Sequence, residues 1–185
     1  MREELCRSAR LRIRPWSDDD IPRLFEIYSD PRVSEFLPSL HANTLDEVRE
    51  RHPKLLATTT RYGPGYGAWA VERLSDGYVV GTGLLKHLPG LGDDLTEQIE
   101  VGWHLGADCW GHGYATEMGD ALLTHGFDAQ GLDEIYALAD PANAGSIAVM
   151  KRIGMHYVGP NTRYYGGDEA VVYRIDRAAF VSREV

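Results

Sequence analysis

The stretch from Ile99 to Asp128, IEVGWHLGADCWGHGYATEMGDALLTHGFD, decides the fold. Ile99, Val101, Trp103 and Leu105 alternate with Glu100, Gly102 and His104. This period of two lays an apolar set on one face of a strand and turns Glu100 and His104 to the other. From Ala115 to Asp128 the period changes. At about 100° per residue, Glu117, Asp120, Thr124 and Asp128 fall on one narrow stripe, while Ala115, Met118, Ala121, Leu122, Leu123 and Phe127 spread around the rest. So apolar a helix must be covered on several sides, which predicts a central helix. Just before it, Gly111 and Gly113 stand one residue apart. Bare backbone N–H groups beside the positive end of a helix dipole are a physical recipe for holding a phosphate or pyrophosphate, although a plain tight turn uses the same residues. The dinucleotide-fold version of this loop would need further glycine spacing, a parallel βαβ unit and an acidic residue about 20 positions on. Only fragments of that are present.

Outward from this stretch, short strands and helices follow one another. Ala9, Leu11 and Ile13 alternate with Arg10, Arg12 and Arg14 as a first strand that Pro15 stops. Ser17 and Asp20 make a capping-box-like start to a helix with Ile21, Leu24 and Tyr28 on its apolar face, running to Asp30-Pro31. Thr44 and Glu47 cap a second helical stretch. Pro53 is expected to break or kink it, leaving residues 54–61 as a separate turn or short helix. Residues 62–67 read as a loop. Ala68 to Arg73 and Tyr78 to Lys86 read as a hairpin about Ser75-Asp76-Gly77, and residues 88–96, with Pro89, Gly90, Gly92, Asp93 and Asp94, as a loop feeding the Glu100 strand antiparallel. Gly131-Leu132 ends the central helix, and Ile135 to Ala139 forms a buried strand. Asp140 to Asn143 caps a last helix that Gly154 stops, and Tyr157-Val158 with Val171 to Ile175 close the sheet. No repeat, low-complexity tract or linker intervenes. Residues 1–185 are therefore expected as a single α/β (α+β) domain: a central mixed, mostly antiparallel sheet of about six or seven strands flanked by helices. The strand-helix-strand unit about the central helix supplies its parallel pair.

At 185 residues the chain can bury a core without staples, and 43% hydrophobic with 25% charged residues is an ordinary globular balance. The 28 acidic and 19 basic residues give a net charge of −9, which argues against a nucleic-acid surface. That charge suits attraction of a cationic amine, and equally simple solubility. Cys6 and Cys109 make neither a disulfide framework nor a CxxC pair, so a cytoplasmic location is expected, and Cys109 reads as a bystander with no base placed beside it. MREELCRSARLRIR has no apolar leader core and no apolar run approaches 18 residues, so neither secretion nor a membrane span is expected.

Trp110 to Glu117, WGHGYATE, resembles the acyl-CoA pyrophosphate loop of the GNAT superfamily of N-acetyltransferases. It is most similar to the branch containing the ribosomal-protein N-terminal (alanine/serine) acetyltransferases. Glu100-Val101-Gly102-Trp103 upstream, Asn143, Ser146, Met150 and Gly154 in NAGSIAVMKRIGM downstream, and the opening LRIRPWSDDDIPRLFEIYSDPRV resemble the same branch in the same order. The resemblance implies a single GNAT-type domain whose parallel strand pair is splayed. It implies acetyl-CoA as cosubstrate, no metal, and direct acetyl transfer from the thioester to a primary amine such as a protein N-terminus. It also admits a homodimer, though nothing in the sequence locates an interface.

Carried over by position, Trp110, Gly111, His112, Gly113, Tyr114 and Ala115 would hold the pyrophosphate, His112 through its backbone N–H. Backbone groups from Trp103 to Leu105 would bond the pantetheine arm and the thioester oxygen, and Asn143 would contact the CoA arm. Glu100 falls where relatives often carry a catalytic glutamate acting directly or through water. An amine of pKa near 10 is mostly protonated at pH 7, so a carboxylate could attract the ammonium and relay its proton. The plainer reading of Glu100 is a half-exposed strand residue paired with an arginine. His104 is a second candidate base, since histidine titrates near neutrality, or else a structural ring. Ser146 could protonate the sulfur as general acid. Many relatives instead use a tyrosine seven residues after the asparagine; Met150 stands there, with Tyr157 or a water as substitutes. Trp110 replaces the Gln or Arg of the broader superfamily, although tryptophan is usual in this branch. Lys151 and Arg152 could reach the 3′-phosphate of CoA, or simply complement the helix end. His104 and His112 lack a third ligand of suitable spacing for a metal. The acceptor stays open between a protein N-terminus and a small amine (aminoglycoside, polyamine or amino acid), because specificity would lie in residues 39–67 and 163–168. A non-catalytic acyl-CoA-binding domain is the remaining alternative.

Overall fold

The computed structural model describes residues 4–57, 61–92 and 94–183. Its strands are β1 (Cys6–Arg7), β2 (Leu11–Arg14), β3 (Gly67–Arg73), β4 (Val79–Pro89), β5 (Leu95–Leu105), β6 (Glu134–Ala139), β7 (His156–Asn161) and β8 (Ala170–Asp176). They form one sheet in the order β1-β2-β3-β4-β5-β6-β8-β7, eight strands where six or seven are expected. The extra strand is β1. With two residues it shows no period, and it is held by pairing Cys6 with Ile13 and Arg7 with Arg12. Every neighbouring pair is antiparallel except β5 and β6, which run parallel and pair at Glu100 and Tyr136. Beyond that point they diverge, and the gap is the cleft described below.

The alternation of the strands builds a core on each face of the sheet. Leu11, Ile13, Val71, Leu85, Ile99 and Val101 point to the side covered by α4 (Tyr114–Thr124), with Met118, Leu122 and Leu123 on that helix fully buried. α5 (Ala144–Arg152) and α6 (Arg177–Ser182) pack on the same side. On the other face, Trp16, Ala70 and Val79 meet α1 (Ile21–Ser29), α2 (Pro31–Ser34) and α3 (Leu45–Leu56) through Leu24, Ile27, Val33 and Val48. α4 is thus the central helix that its composition predicts.

Four local expectations change. α3 runs through Pro53 to Leu56 without a break: proline removes one bond to the preceding turn, while Val48, His52 and Leu55 keep one face packed. Residues 58–60 of the expected separate turn, like Asp93, lie outside the described residues. α4 ends at Thr124 and passes into one π turn, His125–Ala129, where Gln130 N donates to His125 O five residues back at 3.1 Å. Its polar stripe is partly covered, because Glu117 accepts from Ser8 Oγ at 2.6 Å and from Arg10 Nε at 2.6 Å, and Asp120 pairs with Arg183 at 3.1 Å. The loop over residues 88–96 is shorter than expected: Gly90 N donates to Asp94 O at 2.8 Å and Thr96 Oγ1 to Leu88 O at 2.9 Å, closing a hairpin between β4 and β5.

The arginines of β2 are not a solvent face. Arg14 is 2% exposed and bridges two buried carboxylates, with Nε 2.6 Å from Glu72 Oε2, Nη1 2.7 Å from Asp20 Oδ2 and Nη2 2.9 Å from Asp20 Oδ1. Arg12 pairs with the second oxygen of Glu72. Asp20 Oδ2 also accepts from Ser17 N and Ser17 Oγ, each at 2.9 Å, so the predicted capping box ties the start of α1 to the sheet.

Candidate active site

The divergence of β5 from β6 exposes strand backbone. Gly106 N donates to Val80 O at 3.0 Å, and Glu100, Gly102 and His104 sit opposite Lys86, Leu84 and Thr82. In an antiparallel ladder such positions alternate, so the residues between them, Val101, Trp103 and Leu105, turn their N–H and C=O groups away from β4 and toward β6. With β6 leaving, the groups of Trp103 and Leu105 face the gap. One of them is already used: the Trp110 indole Nε1 donates to Leu105 O at 3.1 Å. This lashes the glycine loop to the end of β5 and gives Trp110, 48% exposed, an anchoring role that a polar Gln or Arg would fill differently.

Gly111 and Gly113 both adopt φ of +79°, the left-handed region where a Cβ is strained. Gly113 is the N-cap of α4 and offers no side chain, and the first intrahelical bond is Glu117 N to Gly113 O at 3.0 Å. The N–H groups of residues 113–116 therefore have no acceptor within the helix, and they stand at its positive end. Around Gly111 an added Cβ would meet nothing within 4 Å. The loop is braced from behind: Arg10 Nη2 donates to His112 O at 3.1 Å and its guanidinium lies 4.9 Å from the Tyr114 ring centre, while His112 stacks on Tyr114.

Glu100, 4% exposed, is more deeply placed than its plainer reading implies, and its partner is a lysine rather than an arginine. Lys86 Nζ lies 2.7 Å from Glu100 Oε1, and Tyr165 donates its hydroxyl to the same oxygen. Lys86 Nζ also donates to Tyr165 OH at 3.2 Å. Both contacts fall on Oε1, leaving Oε2 without a partner among the described residues. Burial, then the charge of Glu100, push the Tyr165 hydroxyl well above the ordinary phenol range, so it remains a donor. Tyr165 holds φ of +51°, unusual for a side-chain-bearing residue, between the turn at Tyr164 and the left-handed Gly166.

His104 Nδ1 lies 3.0 Å from Tyr28 OH, which lies 3.0 Å from Thr82 Oγ1. Burial pushes the Tyr28 hydroxyl up to about 12, and burial with the nearby Lys86 pulls the His104 ring down to about 4. The ring is neutral at physiological pH and shares one hydrogen bond with the Tyr28 hydroxyl at Nδ1. Asn143 caps α5, its Oδ1 accepting from Ser146 N at 3.0 Å, as its position suggests. Met150 is fully buried among α5 packing residues. Tyr157, the substitute considered for the absent tyrosine, is 57% exposed on β7 and leans on Tyr173 instead. Cys109 is buried, and burial followed by the Asp108 charge raises its thiol, so it is not an activated nucleophile.

These groups meet in one cleft of about 1820 Å³. Glu100, Trp103, His104, Leu105, Trp110, Gly111, Gly113, Tyr114, Ala115, Asn143 and Ser146 all line it, as does Arg152. Among the candidates His112 stays outside, with its ring on Tyr114, and so do Lys151 and Tyr157. Sequence reasoning missed Lys86, Tyr28, Thr82 and Tyr165; only Tyr165 fell in a segment, residues 163–168, singled out for specificity. No group of three or more His, Cys, Asp or Glu side chains among the described residues could hold a metal, and no helix there is long and apolar enough to cross a membrane.

A parallel pair that opens over a bare helix N-terminus, with strand backbone along the gap and a buried carboxylate beside it, defines the frame of an acyltransferase. The chain belongs to the acetyltransferase (GNAT) domain family, which matches residues 10–156. It is 31% identical over 149 residues to the uncharacterized protein YkkB of Bacillus subtilis, spanning 80% of this chain and 83% of that protein. The solved structure of the aminoglycoside acetyltransferase AAC(6')-Ib in complex with ribostamycin and coenzyme A superposes with a TM-score of 0.75 at 22% identity, over 95% of this chain and 98% of that one. RimL, a ribosomal-protein alpha-N acetyltransferase in complex with coenzyme A, gives 0.74 at 17% identity, over 96% and 99%. The two structures share the fold.

Proposed function

We propose that the chain is an acetyl-CoA-dependent N-acetyltransferase moving acetyl directly from the thioester to a primary amine. The observation that carries this is Glu100, a buried carboxylate on the cleft side of β5, three residues from the Trp103 backbone that opens into the splay. The donor set at the loop fits the anionic end of CoA: four N–H groups at the start of α4, two glycines in left-handed conformation and open space at Gly111. The bound thioester supplies an activated carbonyl carbon and a thiolate leaving group.

The chain's residues divide the remaining work. The N–H of Trp103 polarises the carbonyl, and Asn143 with the loop fixes the donor's long axis. Glu100 Oε2 takes the proton that the acceptor ammonium must lose, while Lys86 and Tyr165 hold Oε1 in place. As the new C–N bond forms and the C–S bond breaks, the second proton leaving the nitrogen is relayed to the departing sulfur through the Ser146 hydroxyl or a water, which gives one proton and takes one. His104, whose Nδ1 is engaged by Tyr28, holds the wall of the cleft in this reading and leaves the proton to Glu100. The acceptor is a primary amine, with a protein N-terminus and a small amine as its two classes; the fold is shared with enzymes of both kinds.

The test is thiol release from acetyl-CoA against a panel of N-terminal peptides, aminoglycosides, polyamines and amino acids, with CoA binding measured by calorimetry. Turnover on one class fixes the acceptor. CoA binding without turnover on any amine would instead favour an acyl-CoA-binding domain, and no CoA binding would overturn the loop assignment. The loop has its own check. Because a Cβ at Gly111 meets nothing in the free protein, Gly111→Ala should cost only about 1–2 kcal/mol of backbone strain. It should nonetheless weaken CoA binding about tenfold or more, since the methyl projects where backbone must approach a phosphate. An unchanged CoA affinity would remove Gly111 from the site.

A further inference from the structure

Four buried side-chain polar atoms have no hydrogen-bond partner among the described residues: Arg12 Nε, Trp16 Nε1, Trp69 Nε1 and His52 Nε2. Of these four residues only His52 lines the cleft. It sits on α3, 2% exposed, with Val48 one turn before it and Leu55 one turn after it on the same face. Its Nδ1 lies 3.3 Å from Asp18 Oδ1. We assign the N–H of the ring to Nδ1, which faces the Asp18 carboxylate, and this leaves a lone pair on Nε2. A buried acceptor without a donor is costly, and native proteins satisfy nearly all such groups. Here the missing donor can come from what enters the cleft.

On this side of the cleft Leu24, Val33, Leu37, Val48 and Leu55 form one apolar cluster and all line the cleft, alongside Arg32 and Glu35. α3 adds two cations to the cleft lining, Arg51 and Lys54, while Glu35, Asp140, Asp168 and Glu169 line it elsewhere. Resting on the N-acetyltransferase reading, we propose that His52 determines acceptor specificity. Its Nε2 accepts a hydrogen bond from a second donor, a hydroxyl or N–H, on an acceptor amine whose body is otherwise apolar. Such an acceptor is recognised at two points, by Glu100 at the amine and by His52 at the far donor.

The experiment uses matched amines: tyramine against its O-methyl ether, 6-amino-1-hexanol against 6-methoxyhexylamine, and leucinamide against its N,N-dimethylamide. Steady-state kinetics on the wild type, His52→Leu and His52→Gln should show one pair for which the wild type favours the donor-bearing member about tenfold in acceptor KM, the size of one neutral hydrogen bond. The KM for acetyl-CoA should not move. His52→Leu should erase the preference, while His52→Gln, whose amide oxygen can accept in place of Nε2, should keep it. A preference that survives in His52→Leu, or wild-type turnover with no preference in any pair, overturns the proposal. A parallel measurement needs neither turnover nor a stable variant. In the ¹⁵N spectrum of the wild type with CoA, the His52 Nε2 resonance should shift on adding the donor-bearing amine and not its methylated partner; no shift with any donor-bearing amine overturns the proposal. If CoA binds and no amine is acetylated, the enzyme reading fails, and this titration still decides the role of His52.

Discussion

Glu100→Gln should lower kcat by about 10²–10⁴-fold, the usual span for loss of a general base, while leaving CoA affinity unchanged. The amide is the informative replacement because its oxygen can still accept from Lys86 and Tyr165 at the Oε1 position, so the wall of the cleft is kept. What it lacks is a second basic oxygen at Oε2. Thiol release and calorimetry on the same preparation check this, with thermal melting to confirm that the fold survives. Unchanged thiol release would show that water or another group removes the proton, and Glu100 would then be a positioning residue for Lys86 and Tyr165.

The largest stability effect is expected at the other end of the sheet. Arg14→Met removes the guanidinium shared by Asp20 and Glu72 and strands two buried carboxylates, at a cost of about 3–5 kcal/mol. For a chain of this size that lowers the melting temperature by roughly 10 °C. The pH dependence has a definite sign. Burial alone would raise the Asp20 and Glu72 carboxyls, but their hydrogen bonds, chiefly to Arg14, outweigh it and hold both below their ordinary values of 3.8 and 4.5. Groups whose folded pKa is depressed stabilise the protein above their unfolded pKa and lose that contribution as pH falls through the ordinary range toward the folded value. The wild type should thus begin to lose stability below about pH 4.5, whereas in Arg14→Met the two carboxyls, left in the core without their shared guanidinium, gain from protonation, so the stability gap between variant and wild type should narrow as pH falls below that value. Denaturant unfolding of both proteins at a series of pH values measures this; a stability difference that stays constant below about pH 4.5 would remove the bridge from the account.

Where a period runs long enough, the sequence is a good guide. β5, α4 and the glycine loop were readable because seven alternating residues, a helical stripe and two glycines each carry a separate physical signal. The capping groups at Ser17, Thr44 and Asn143 were legible for the same reason. The interior partners were not. Lys86 meets Glu100 only through the β4–β5 register, and a slip of one residue would turn it to the other face. Tyr165 reaches Glu100 from a left-handed backbone position that residue type alone does not announce. Arg14 alternates with apolar residues as an exposed charge would, and its burial depends on Asp20 and Glu72 arriving from two other elements.

The two cores on opposite faces of the sheet serve different clients. The loop and α4, which would address the donor under the proposed function, rest on one of them; α1, α2 and α3, which would wall the acceptor side, rest on the other. On that reading, a substitution in the second core should change which amine is acetylated while CoA affinity stays the same. The architecture would then separate a constant half from a variable half within one domain, so that a change of acceptor asks for the repacking of three helices and not for a new donor site.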